Sequence, residues 1–115
     1  MAQQTAPARR HPLVVTDDQD LLDDLLGIAA RSGADLDVAP DPAAARQRYP
    51  GAPLVLVDLG TATACARAGL PRRPGVVLVS REATAEQPWR AAEAIGAEHV
   101  ALLPSAGPWL ADRFA

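Results

Sequence analysis

Pro53-Leu54-Val55-Leu56-Val57-Asp58-Leu59 is an apolar, largely β-branched run that stops at a single carboxylate. A run this short, with no polar alternation, reads as a strand covered on both faces, as in the middle of a parallel sheet. Asp58 then falls at the carboxyl end of a central strand, where open α/β sheets gather their ligands and chemistry.

Upstream, Leu13-Val14-Val15-Thr16 is a second apolar run, followed at once by Asp17, Asp18 and Asp20. From Gln19 the period changes: Leu22, Leu25, Leu26 and Ala29 follow helical spacing, and Gly33 suits a C-terminal cap. Aspartates at the start of that helix also favour its dipole, so capping alone accounts for part of the cluster. Leu36 and Val38 alternate with Asp35 and Asp37, the pattern of an edge strand with one wet face. Asp41-Pro42 is a helix start, and Tyr49-Pro50-Gly51 closes that short helix.

Downstream, Thr61–Ala68 is helical by propensity, and Gly69–Pro74 breaks it, with Arg72 and Arg73 read as a solvated loop. Gly75–Ser80 is another continuous apolar strand, Arg81–Gln87 a polar loop, and Pro88 opens a helix with Trp89, Ala92 and Ile95 on one face. Val100–Pro104 reads as a fifth strand, and Ser105–Ala115 as a last helix carrying Trp109, Leu110 and Phe114. Strand and helix thus alternate five times, which predicts a single flavodoxin-like α/β domain: a five-stranded parallel sheet in the order 2-1-3-4-5 with helices on both faces. The expected boundaries are a disordered leader over 1–11 and the domain over 12–115.

With 115 residues there is room for one core. A net charge of −3 and no clustered basic face exclude nucleic acid as the expected partner. All eleven basic residues are arginine, which removes every mechanism that needs a lysine amine. The lone Cys65 forms no intramolecular disulfide and reads as a small buried residue of a reducing compartment. No stretch is long and apolar enough to span a bilayer, and the first ten residues lack a signal-peptide core, so the expected location is cytoplasmic, without membrane insertion.

Asp17, Asp18 and Asp58, converging at the switch point between the first and third strands, would suit a hard divalent cation, with Asp58 as nucleophile toward a phosphoryl group. At these positions the chain resembles a CheY-like response-regulator receiver domain: Val15-Thr16-Asp17-Asp18, Leu56-Val57-Asp58, Ser80 and Gly96–Pro104 match. The resemblance implies that Asp17 and Asp18 bind magnesium weakly, that Asp58 is the phosphoacceptor and that Ser80 reports the phosphate. The lysine that grips the phosphoryl group is here Leu103, and an apolar side chain cannot neutralise charge developing on a phosphoryl oxygen. Registering the first strand on Val14-Val15 would also put Thr16 and Asp17 at the metal positions, at the loss of one carboxylate. The expectation is therefore a pseudo-receiver with no resident cofactor and no catalysis. The alternative is a working receiver phosphorylated on Asp58 with Mg²⁺.

Pro12–Asp18, Leu21–Leu26, Pro71–Val79 and Gly96–Pro104 are further similar to the N-terminal domain of actinobacterial septum site-determining proteins (Ssd), relatives of the CpaE/TadZ pilus-assembly proteins. That similarity implies an atypical receiver placed before a ParA/MinD-like ATPase, which positions septum or Flp-pilus machinery. The expected partners are the ATPase domain, a second copy of the chain, and septum or pilus-assembly proteins. Trp89, Trp109, Leu110 and Phe114 are the candidate interface residues.

Overall fold

Five parallel strands form: β1 (Leu13–Val15), β2 (Asp37–Ala39), β3 (Val55–Asp58), β4 (Val76–Arg81) and β5 (His99–Leu103). The structure, a computed structural model, describes residues 11–82 and 88–115. The expected leader, apart from His11, and all but the first two residues of the expected 81–87 loop lie outside the described residues. Five helices connect or follow the strands: α1 (Gln19–Arg31), α2 (Pro42–Ala45), α3 (Leu59–Arg67), α4 (Pro88–Ile95) and α5 (Gly107–Phe114). The sheet order is β2-β1-β3-β4-β5, as the alternation predicts.

The continuous apolar runs are buried because both sheet faces are covered. Leu13, Val15, Val55, Val57, Val76 and Leu78 pack with Tyr49, Ala62, Cys65, Ala92 and Ile95 on one face. Val14, Leu56, Val77, Val79, Ala101 and Leu103 pack beneath α1 and α5 on the other. Leu110 and Phe114 belong to that second core, 0% and 7% exposed, so they are core residues and not part of an exposed interface. An amphipathic last helix has an apolar face either way, and here that face covers its own sheet.

Several boundaries move for identifiable reasons. Leu59 leaves the strand and opens α3, because the Asp58 carboxylate accepts from Gly60 N–H and caps the helix there. Asp41 does the same for α2, accepting from Ala44 N–H at 2.8 Å, but that helix stops at Ala45 and a separate 3-10 turn follows at Tyr49–Gly51. β5 begins at His99, which pairs with Val77. Arg72 and Arg73 are more than a solvated loop. Arg72 donates to the Glu93 carbonyl in the last turn of α4, and Arg73 donates to the carbonyls of Tyr49 and Pro74.

Candidate functional site at the carboxyl end of the sheet

β1 ends at Val15, and Val15 pairs with Val57, so the register places Thr16 beside Asp58. The Thr16 hydroxyl donates to Asp58 Oδ2 at 2.8 Å and accepts from the Asp18 N–H at 3.0 Å. Asp58 Oδ1 accepts from Gly60 N–H at 3.1 Å. Both carboxylate oxygens are therefore engaged by the chain's own donors, and Asp58 is 8% exposed. Thr61, also buried, lies 3.0 Å from the carbonyls of both Val15 and Asp58 and ties the start of α3 to β1.

Asp18 is turned to its own helix: its carboxylate accepts from Leu21 N–H at 3.1 Å as the N-cap of α1. Asp17 is exposed. Among the described residues no three His, Cys, Asp or Glu side chains are grouped to hold a metal ion. The expected Asp17, Asp18 and Asp58 triad is not assembled, because a threonine occupies the position next to Asp58. One carboxylate already satisfied by a hydroxyl and an amide does not fit a magnesium site, which needs several free oxygen ligands.

Ser80 is buried near the end of β4 and is 5% exposed. Leu103, at the position of the missing amine, is equally buried and packs into the α1–α5 core. Its β4 neighbour in register is Arg81, whose Nη1 lies 2.9 Å from Asp24 Oδ2 of α1. That hydrogen bond, against the opposing effect of burial and helped by the nearby charges of Asp24, Asp18 and Asp20, holds the guanidinium above its ordinary pKa. The next residue, Glu82, donates its N–H to the Leu103 carbonyl and accepts from Ser105 N–H at 2.8 Å. Arg81 and Glu82 thus anchor the end of β4 to α1 and to the turn after β5. Sequence reasoning offered Thr16 at a metal position but not as the hydrogen-bond partner of Asp58, and it missed Thr61, Arg81 and Glu82. Only Thr16 had a readable signal, the Val14-Val15 register.

Trp89 is 60% exposed above an open groove, about 410 Å³, lined by α4 and the start of β5. Trp109 is half-buried. Its ring lies 5.0 Å from that of His99, and the Arg113 guanidinium sits 4.7 Å over it.

A five-stranded parallel sheet in this order, with an aspartate closing β3 and a serine near the end of β4, defines a CheY-like receiver domain. Solved structures with this fold include CheY4 of Vibrio cholerae, 13% identical with a TM-score of 0.65 over 92% of this chain and 98% of that one. A putative response regulator from Chloroflexus aurantiacus is 20% identical, with a TM-score of 0.61 over 91% and 94% of the two chains. NtrX from Brucella abortus, in complex with ADP, is 23% identical, with a TM-score of 0.64. The match covers 90% of this chain but only 25% of NtrX. The chain belongs to the Rv3660c-like, CheY-like N-terminal domain family, which matches residues 14–115. No curated protein matches it. No helix among the described residues is long and apolar enough to cross a membrane.

Proposed function

We propose that the chain is a receiver-like interaction module that works without phosphotransfer. The observation that supports this most is the state of Asp58, which is buried with one oxygen on the Thr16 hydroxyl and the other on an amide of α3. A carboxylate so engaged is a capping group, and to act as a nucleophile its attacking oxygen would have to give up the bond it makes here. Nor does Leu103 offer charge to a phosphoryl group, since its side chain points into the core. The parent in this reading is a cytoplasmic ParA/MinD-like ATPase of the Ssd or CpaE/TadZ type, acting in septum-site determination or Flp-pilus assembly. The support is the similarity of Pro71–Val79 and Gly96–Pro104 to that group. Contact with the ATPase domain or with a second copy is assigned to the α4–β5 side, where Trp89 stands exposed and His99, which also lines the groove, carries the Trp109 ring against it.

The test is to incubate the chain with Mg²⁺ and a small phosphodonor and to weigh it. The expected result is an unmodified mass. A stoichiometric phosphate adduct abolished by Asp58→Asn would overturn the proposal and establish the working-receiver alternative. The double substitution Thr16→Asp and Leu103→Lys restores the two missing groups, and is expected to yield an adduct where the native chain yields none.

A further inference from the structure

Three large apolar side chains stand exposed among the described residues, and two of them, Leu26 and Val38, lie on the same flank. On α1, Asp24 reaches Arg81 of β4 and Ile28 lies against Gly107 of α5, so positions 24 and 28 look toward α5. Helical spacing then turns Leu22 and Leu26, one turn apart, toward the β2 edge. Val38 pairs with Val14, whose side chain packs under α1, so Val38 and Leu36 stand on the sheet face that α1 covers. Leu22, Leu26, Leu36 and Val38 therefore form one apolar strip between a helix and an open sheet edge. Leu22 and Leu36 rest against the core, and Leu26 and Val38 project from it.

The charge beside this strip that no ion pair neutralises is acidic. Asp23 and Asp35 are exposed and make no ion pair among the described residues, whereas Asp24, on the α5 side, pairs with Arg81 and Asp37 pairs with Arg48 and His11. We propose that the α1–β2 flank docks an amphipathic helix of a partner protein whose apolar face is bordered by lysine or arginine. Apolar anchors would seat on Leu26 and Val38, and the basic border would meet the unpaired carboxylates. A second copy of this chain is a poor occupant, since a two-fold contact through this flank sets acid against acid. The flank is at the β2 edge, four strand spacings or roughly 19 Å from β5, so it can be occupied while the Trp89 side is engaged.

The probe is a synthetic leucine/lysine amphipathic peptide of about five helical turns, titrated into the isotope-labelled chain and followed by amide chemical shifts. The expected shifts cluster at residues 22–26 and 36–38. Leu26→Gln is expected to weaken binding roughly tenfold, the loss of one apolar anchor, and Asp23→Arg should weaken it as well. Both positions are exposed, so the variants keep the native fold, which circular dichroism checks. Absence of binding, shifts centred on the groove at Trp89 and His99, equal binding of a leucine/glutamate peptide, or indifference to Leu26→Gln would each overturn the proposal. None of these outcomes bears on whether Asp58 accepts phosphate, so the two readings fail separately.

Discussion

A hydroxyl in place of a carboxylate decides the character of this carboxyl edge. Thr16 is 3% exposed and supplies Asp58 with a neutral donor where a second carboxylate would have demanded a cation between them. Thr16→Val keeps the shape and removes the donor, leaving a buried carboxylate oxygen without its partner. The expected cost is about 1–3 kcal/mol of stability, read by urea denaturation. Asp58→Ala removes the cap of α3 and is expected to cost about 1 kcal/mol, whereas Asp58→Asn, which can still accept from Gly60 N–H, should cost less. Cys65 is a second case of a residue set by its surroundings. Burial pushes its thiol from about 9 up to about 11. The folded state holds the proton more tightly than the unfolded chain, so the stabilising contribution is complete below about pH 9 and is lost as pH rises through about 11. Burial raises the Tyr49 hydroxyl as well, so the comparison must be between the native chain and Cys65→Ala. The melting temperature of the native chain should fall faster over that window.

At the scale of elements, the strands were legible because a strand buried on both faces leaves an unbroken apolar run with nothing to confuse its period. β3, β4 and the apolar part of β5 could be read that way, and their order followed from the alternation with helices. Register between strands, a tertiary quantity, was legible only as the Val14-Val15 alternative at β1. The register makes Thr16, and not an aspartate, the neighbour of Asp58, and it sets Arg81 beside Leu103. The Arg81–Asp24 bond joins residues 57 positions apart, with no local pattern to announce it. Connections carry a different kind of information. Gly33 and Gly96 both end helices at φ +72°, yet their surroundings differ. A Cβ at Gly33 would meet nothing, while one at Gly96 would fall 2.8 Å from Cγ of Arg72. Gly33→Ala should therefore cost only the left-handed backbone penalty, about 1 kcal/mol. Gly96→Ala should cost clearly more, because it also displaces the arginine that donates to the α4 carbonyl of Glu93. Denaturant midpoints of the two variants measure the difference.

Across the whole molecule, the sheet order puts β2 and β5 at opposite edges, with α2 against β2 and α4 against β5. The charge composition differs between them. On the β2 side Asp37 pairs with Arg48 and the charge left over, Asp23 and Asp35, is acidic, whereas the β5 side mixes Arg72, Arg90 and Arg113 with Glu93, Glu98 and Asp112. A face with both signs can satisfy itself across a two-fold axis, and a face left with one sign cannot. Self-association is therefore expected through the β5 side, anchored by Trp89, the most exposed large apolar side chain described. Sedimentation over a concentration series should show the native chain moving toward a dimer and Trp89→Ala remaining a monomer. Leu26→Gln should follow the native chain, because the two edges share no residue and their effects should be independent. If Trp89→Ala dimerises as readily as the native chain, or Leu26→Gln abolishes the dimer, the assignment of self-association to the β5 side is wrong.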